Sequence, residues 1–432
     1  MIIQDLLDKK RLHKELTDEE IQFFVKGVAE DTLKDYEVSA MLMAIAINGM
    51  TDRETTTLTL AMMNTGTIVD LSEIEGVKAD KHSTGGISDT TTIAAVPILA
   101  SLGVKMAKMS GRSLGFTGGT VDKLEAIPNF NTEITKEQFI DNVKNIGASI
   151  IAQTDNIAIA DKKLYAMRDV TATVQSIPLI ASSIMSKKLA SGADIILLDV
   201  KFGDGAFMKT KSSATILAEL MVTIGKNAGK KMCAMITSME EPLGNGIGCN
   251  MEIRDAVEVL TGTVNPLAIV TKNICVEILK LATNVDHATA VAQVEESISS
   301  GKALAKLKEI VVAQGGDTTV LDDLSKLKSA KYSIDLKPNT KGRIVAIDGE
   351  LLGNACKRLG GGRIRKTDPV LHEVGIDMKV RIGDKVNGKT SLVTIHYNNE
   401  DITEVIDMIN KAFTIKPTLY VKKPKLIYKI IR

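Results

Sequence analysis

The chain has 432 residues, 44% of them hydrophobic and 25% charged, enough for two or three domains with cores of their own, and this excludes a disordered protein. Lysine and arginine (54) balance aspartate and glutamate (53), so the net charge of +1 argues against bulk affinity for nucleic acid. Aromatic residues make up only 3%, without tryptophan, which disfavours a stacking surface and favours a small polar ligand held by hydrogen bonds and charge.

Residues 1–65 read as helices. Thr17 and Glu20 form a capping box ahead of Ile21, Phe24, Val25 and Val28, and 38–47 is a nearly unbroken apolar helix. Thr51 with Glu54 caps a further helix through Leu58 and Met62, so a small helical bundle is expected. After Asp70 short apolar segments alternate with glycine-rich turns and amphipathic helices, the pattern of βα units. Positions 91–107 read as a helix and then a strand, 147–152, 193–200 and 231–237 as buried strands, and 176–189 and 212–229 as helices. From about 340 onward, 342–349, Val374, 378–386 and 391–396 read as short β segments, with a helix at 400–412. The basic tail, 420–432, is expected to be a solvated edge strand, because apolar residues interrupt its charges.

Four widely spaced cysteines, Cys233, Cys249, Cys275 and Cys356, show no metal-knuckle spacing and suit a reduced chain. The start, MIIQDLLDKKR, lacks the basic and apolar regions of a signal peptide, and charges or glycine interrupt every apolar stretch. A cytoplasmic location without membrane association is expected.

Two glycine- and hydroxyl-rich stretches carry the chemistry: KHSTGGISDTTT at 81–92 and SGRSLGFTGGT at 110–120. In the first, Ser83 and Thr84 offer hydroxyls, Gly85 and Gly86 let backbone N–H groups approach an anion, and Lys81 adds a charge. Thr92 falls near the start of the following helix, whose positive end also favours an anion. The second stretch repeats the recipe with Lys108, Ser110, Gly118, Gly119 and Thr120. Neither matches the nucleotide-binding P-loop or the dinucleotide glycine fingerprint, and either alone would pass for a turn. Together they predict a divided phosphate site. His82 lies inside the first loop, whereas His13, His287, His372 and His396 form no metal pattern. Downstream, KLYAMRDVTATVQS at 163–176 leads into a helix on which Ser183 and Lys187, four apart, share a face.

The motifs KHSTGG at 81–86, SGR at 110–112, GGTVDKLE at 118–125 and LYAMRDVTAT at 164–173 resemble those of the thymidine/pyrimidine-nucleoside phosphorylases, and the resemblance spans essentially the whole chain, most closely to the bacterial pyrimidine-nucleoside type. It implies an α/β fold class: a small all-helical domain (1–68 plus 163–193), a larger α/β domain with a central mixed sheet (70–162 plus 194–330), and a C-terminal β-rich, barrel-sandwich-like α+β subdomain (340–432). The implied reaction is reversible phosphorolysis of thymidine, deoxyuridine or uridine to a free pyrimidine and an α-pentose 1-phosphate. Phosphate is implied at Lys81, His82, Ser83, Thr92, Lys108, Met109, Ser110 and Thr120, and the pyrimidine at Tyr165, Arg168, Ser183, Lys187 and Phe207. His82, Arg168 and Lys187 carry the implied catalysis. The bacterial type, like this chain, has the run Thr90 to Thr92, and it implies a potassium ion at Ser88, Thr90, Leu243, Gly246 and Asp255, with no organic cofactor. Ser88 stands where glycine is usual and Asp255 where glutamate is usual. Ser113 and Phe116 replace a usual glycine and histidine, and Phe116 is expected to pack. A homodimer that closes its cleft by domain motion is also implied, with nucleoside and phosphate as partners and no nucleic acid or membrane.

Three other readings are open: a strict thymidine phosphorylase, a phosphoribosyltransferase-like enzyme with a magnesium–pyrophosphate site, and a non-enzymatic binding protein built around the C-terminal region. The last lacks the lysine turn of a lipoyl carrier, having Gly383, Asp384, Lys385 and Val386 instead.

Overall fold

The structure, a computed structural model, describes every residue except those at positions 114, 155 and 366, the first of which falls within the second glycine stretch. Helices α1 (Ile3–Arg11), α2 (Asp18–Ala29), α3 (Asp35–Asn48) and α4 (Asp52–Met63) open the chain. The capping boxes Thr17/Glu20 and Thr51/Glu54 form as expected, each tying up donors that the first turn leaves unpaired. There follow β1 (Lys78–Ser83), α5 (Thr91–Ser101), β2 (Lys105–Ser110), α6 (Thr120–Leu124), α7 (Lys136–Asn145) and β3 (Ala148–Ala152). Next come α8 (Ile159–Val170), α9 (Ile177–Ala190), β4 (Ile195–Phe202), α10 (Lys211–Asn227), β5 (Lys231–Ser238), β6 (Gly246–Ile247), α11 (Cys249–Leu260) and α12 (Pro266–Thr283). Further helices at His287–Ser299 and Lys302–Ala313 lead to β7 (Tyr332–Leu336) and β8 (Gly342–Ile347). The remaining strands are β9 (Gly375–Met378), β10 (Lys385–Val386), β11 (Val393–Tyr397), β12 (Phe413–Lys416) and β13 (Ile427–Ile431).

Six strands form one mixed sheet in the order β13-β5-β4-β1-β2-β3. All its pairings are parallel except that of β13 with β5. Every residue of β4 is buried, as a central strand covered by helices on both faces must be. The basic tail supplies β13, an edge strand with Tyr428, Lys429 and Ile430 exposed, as its interrupted charges predict.

The helices α1 to α4 share a core with Ala160 and Leu164 of α8 and Leu179 of α9, so a segment distant in sequence completes the bundle. The C-terminal region forms a four-stranded sheet, β6-β9-β11-β7, and a three-stranded one, β10-β8-β12. Its boundaries differ from the expected ones. Val374 precedes β9 rather than lying in it, and 378–386 is divided: Gly383, at φ +98°, and Asp384, whose carboxylate accepts the Arg381 N–H, turn the chain before β10. Among the described residues no helix is long and apolar enough to cross a membrane.

One buried carboxylate fastens the amino-terminal bundle. Glu54 is 0% exposed and accepts from Lys10 Nζ (3.0 Å), Leu16 N (2.9 Å) and Thr51 N (2.8 Å). Glu54→Ala strands the buried Lys10 without a partner, and is expected to cost about 3 kcal/mol. A urea titration followed by circular dichroism reads this as an earlier transition, and an unchanged midpoint would count against it.

Candidate active site

Strands β1 and β2 lie side by side and parallel, so the loops 84–90 and 111–119 leave the sheet at the same edge, beyond the carboxyl ends where open α/β sheets gather ligands. Helices α8 and α9 face these loops across a cavity of about 630 Å³. His82, Ser83, Thr92, Lys108, Met109, Ser110 and Thr120 line one side, Tyr165, Arg168, Ser183 and Lys187 line the other, and Phe207 also lines the cavity, packed beside Gly85 and Gly115 of the glycine loops. Lys81 does not reach the wall. The two-residue period of β1 sends it to the face opposite Asp80 and His82, where its Nζ meets Thr91 Oγ1 (2.5 Å), Thr92 Oγ1 (3.5 Å) and Asp199 Oδ2 (3.4 Å).

The first loop is organised around Asp89. Its carboxylate accepts from Ser83 Oγ (2.5 Å), Thr91 N (3.2 Å) and Thr91 Oγ1 (2.6 Å), while Lys123 Nζ holds its carbonyl (2.9 Å). Burial works to raise this carboxyl, but Lys201, Lys81 and Lys123 outweigh it and keep the group far below the usual carboxylate range. The second loop folds back on itself at Gly119, where a Cβ would lie 2.3 Å from the backbone of Arg112 and Ser113. Asp122 then accepts the Ser113 N–H (2.7 Å) and pairs with Arg112 (3.2 Å) and Arg363 (2.7 Å).

Beneath the cavity, Asp80 takes two lysines. Lys188 Nζ donates to Asp80 Oδ2 (2.9 Å) and to the Met109 carbonyl (3.2 Å). Lys108 Nζ donates to the same carbonyl (3.0 Å) and stands 3.1 Å from Asp80 Oδ1 as an ion pair without hydrogen-bond alignment. Burial pushes the Lys108 ammonium down to about 7, with Asp80 opposing the shift and Lys188 adding to it. Burial, followed by the charges of Lys188, Lys108, Lys81 and Lys187, also drives His82 well below its ordinary value, so its imidazole is uncharged at neutral pH. Its Nε2 is buried without a hydrogen-bond partner.

On the helical side Lys187 Nζ donates to Ser183 Oγ (2.9 Å), one turn away, and pairs with Asp161. Arg168 is only 2% exposed, and its guanidinium donates to the carbonyls of Thr173 (3.4 Å), Leu179 (3.0 Å) and Val174 (2.8 Å), 5.7 Å from the Tyr165 ring centroid. Backbone carbonyls thus occupy much of the donor fork that the sequence reading gives to a ligand. Phe116 packs on Phe207 with ring centroids 5.4 Å apart, in line with its expected packing role.

Ser88 and Thr90 belong to the first loop but, like Leu243, Gly246 and Asp255, are buried and absent from the cavity wall. Asp255 Oδ2 accepts from Asn245 N (2.8 Å), Gly246 N (2.8 Å) and Ser88 Oγ (3.4 Å). Burial pushes the Asp255 carboxyl up to about 7, against the pull of the Gly246 N–H and with help from Glu252. Ser88 adopts a left-handed backbone (φ 56°), a conformation that glycine tolerates best. Thr90 turns away from the group, donating to Glu252 (3.2 Å). Among the described residues no cluster of three or more His, Cys, Asp or Glu could hold a metal ion.

Family models match the chain in three consecutive pieces: the glycosyl transferase family helical bundle domain over 4–66, the a/b domain of the same family over 75–304, and the pyrimidine nucleoside phosphorylase C-terminal domain over 344–416. The pyrimidine-nucleoside phosphorylase of Bacillus subtilis (strain 168) is 47% identical over 435 residues, with both chains covered in full. The chain belongs to the pyrimidine-nucleoside phosphorylase family. The pyrimidine-nucleoside phosphorylase of Geobacillus stearothermophilus is 46% identical over 432 residues, covering 99% of each chain. Among solved structures, anthranilate phosphoribosyltransferase from Thermus thermophilus superposes with a TM-score of 0.58, covering 72% of this chain and 99% of that one. At 17% identity, that likeness is one of fold alone.

Asp80, Asp89, Asp161 and Lys188 belong to the site and escape the sequence reading. Asp80 and Lys188 are neighbours of residues the reading selects, Lys81 and Lys187, and strand or helix geometry alone decides which of each pair meets the other.

The Lys108 shift gives a signed expectation for this member of the pyrimidine-nucleoside phosphorylase family. Below about pH 7 the ammonium is charged and its burial is relieved by an anion. Above that pH an anion must bring a proton with it. Sulfate, whose charge stays constant across the neutral range, is therefore expected to bind more weakly as pH rises through about 7, by up to about tenfold per unit. Calorimetry on the wild type and Lys108→Met checks this, the variant binding more weakly with a flatter profile.

Proposed function

We propose that this chain is a pentosyltransferase that reversibly phosphorolyses pyrimidine nucleosides of the thymidine and uridine type, giving the free base and an α-pentose 1-phosphate. One observation carries the reading: a single cavity has hydroxyls, N–H groups and Lys108 on one wall and the Ser183–Lys187 pair on the other, in a chain 47% identical end to end to a pyrimidine-nucleoside phosphorylase.

Phosphate is the co-substrate, and we place it against Ser83, Thr92, Lys108, Met109, Ser110 and Thr120, at the amino end of α5. Lys81 acts on the Thr92 hydroxyl from behind the wall, and Asp89, at the wall itself, on that of Ser83. A phosphate oxygen attacks C1′ as the N-glycosidic bond breaks through an oxocarbenium-like state, and the bonding pair leaves with the pyrimidine. Lys187 and Ser183, with the remaining donors of Arg168, stabilise the charge developing on the base, flanked by Tyr165 and Phe207. An uncharged His82 serves as a hydrogen-bond donor to the leaving base rather than as an imidazolium acid. No covalent enzyme intermediate is needed.

The division into 1–68 with 163–193, 70–162 with 194–330, and 340–432 is part of this reading, with closure of the first unit on the second excluding water from the attack. The core shared by α1 to α4 with α8 and α9 supports the first unit. We also propose a homodimer. In its support, α3 exposes Tyr36, Met43 and Ile47 along one stripe, where an apolar face needs a partner. A reduced, cytoplasmic setting suits the four buried free cysteines.

The potassium ion implied by the resemblance would draw on oxygens of Ser88, Thr90, Leu243, Gly246 and Asp255. Asp255 Oδ2 already accepts three donors, whereas the Ser88 carbonyl accepts one N–H, from Gly244 (3.1 Å), and the Thr90 hydroxyl donates to Glu252, so both of these oxygens keep a lone pair. No step is assigned to an ion here.

Base release from thymidine, deoxyuridine, uridine and cytidine, followed by chromatography with and without phosphate, tests the reaction. Phosphate-dependent release of thymine and uracil is expected, whereas release of thymine alone would restrict the enzyme to thymidine. Lys187→Met is expected to lower kcat by about 10²-fold while sulfate affinity is kept. Base release without phosphate, or none at all, would sink the reading.

A further inference from the structure

Phe207 sits in the turn that follows β4. The Gly203 N–H closes this turn on the Met208 carbonyl (3.0 Å), and the Ile87 N–H of the first glycine loop donates to the Gly205 carbonyl (3.1 Å). The Phe207 ring lines the cavity, and a Cβ on Gly85 or on Gly115 would lie 3.4 or 3.5 Å from it, so the ring touches both glycine loops. Phe116 does not line the cavity but packs on that ring, with centroids 5.4 Å apart and planes inclined at 33°. Such a tilted pair attracts beyond the area it buries.

Phe116 is itself held. Lys209 Nζ stands 5.4 Å from the centre of its ring and donates to Glu350 (2.8 Å) and to the Asp204 carbonyl (3.1 Å). Glu350 belongs to the helix Gly349–Arg358 of the C-terminal region, which also reaches the backbone around Phe116. Lys357 Nζ donates to the Gly115 carbonyl (3.0 Å), and a Cβ on Gly353 would lie 2.4 Å from the Phe116 carbonyl oxygen. The two rings also join two cores. Alternate residues of β4 point to opposite faces of the sheet: Ile195 and Leu197 to the core on which Phe116 packs, Ile196 and Leu198 to the core on which Phe207 packs.

We propose that Phe116 is a positioning residue: its ring keeps Phe207 in the cavity wall, and so sets the apolar contact offered to the nucleoside without touching the nucleoside itself. The phosphate side has fastenings of its own, Ser83 on the Asp89 carboxylate (2.5 Å), Lys123 on the Asp89 carbonyl (2.9 Å) and the Ser113 N–H on Asp122 (2.7 Å). Loss of the Phe116 ring therefore loosens the nucleoside side before the phosphate side. Phenylalanine suits the position because it brings ring area to the contact and no polar atom that burial would leave unpaired. The inference rests on the phosphorolysis reading only for its kinetic arm.

Two measurements on the full-length protein test it. In the kinetic arm, Phe116→Leu is expected to raise the nucleoside KM about fivefold, with kcat and the phosphate KM changed by less than about twofold, while Phe116→Tyr stays near the wild type. In a double-mutant cycle Phe116→Leu should add little to Phe207→Leu, because its effect runs through that ring. An equal rise in both KM values, or additive effects in the cycle, overturns the inference. The second arm needs no turnover. The chain has no tryptophan, so Phe207→Trp carries the only indole, and its fluorescence reports where that ring lies. Adding Phe116→Leu to it should shift the emission to the red and strengthen quenching by acrylamide; unchanged emission and quenching refute the positioning role. Should Phe116→Leu fail to fold, Lys209→Met, at an exposed side chain, decides by the same readouts. A red shift and a rise of about twofold in nucleoside KM are then expected, and wild-type values overturn the inference. A protein without any phosphorolysis defeats the functional reading, while the fluorescence judges Phe116 separately.

Discussion

The cavity depends on one buried carboxylate. Asp80 comes from a central strand, Lys108 from the next strand, and Lys188 from a helix of the facing wall, and all three are almost fully buried. Burial raises the Asp80 carboxyl, yet the two lysines outweigh it and hold the group below its usual range. Without that carboxylate, two ammonium groups would face each other in a poorly solvated floor, at a cost of several kcal/mol per ion. With it, positive charge is kept under the glycine loops, His82 is held neutral, and the helical wall is tied to the sheet beneath the cavity.

The same economy runs behind the first loop. Lys81, Lys123 and Lys201 are all fully or almost fully buried, and each meets an acid: Asp199 for Lys81 (3.4 Å), Asp199 again for Lys201 (2.9 Å) and Glu252 for Lys123 (2.5 Å). These pairs are poor sources of net stability, because desolvation offsets most of their attraction. Their value lies in direction. They fix which way the hydroxyls of Ser83, Thr91 and Thr92 and the turns between them point, so that the shape of the loop is set before any ligand arrives.

Local features were legible in the sequence and distant pairings were not. The capping boxes at Thr17 and Thr51 need only four residues each, and the glycine loops announce themselves through residues that suit few other purposes. The Ser183–Lys187 pair follows from the helical repeat. Lys81 was harder, because its composition marks it for an anion while strand alternation turns it away from the wall. Asp80 and Lys188 stand 108 positions apart, and only the docking of α9 on the sheet brings them together. Arg381 is harder still. In sequence it is an ordinary basic residue in a turn of a small β region, and nothing local shows that its partners are the carbonyls of 242–244.

The short strand β6 has a consequence for modularity. Gly246 and Ile247 pair with Asp377 and Ile376, so the four-stranded sheet takes its outer strand from the middle of the chain. A family model recognises 344–416 as a unit, but the sheet built by that stretch is incomplete without two residues that lie roughly a hundred positions earlier. The C-terminal region is therefore no interchangeable cassette. A chimera that swaps it between relatives inherits a mismatched seam unless the 242–247 segment travels with it.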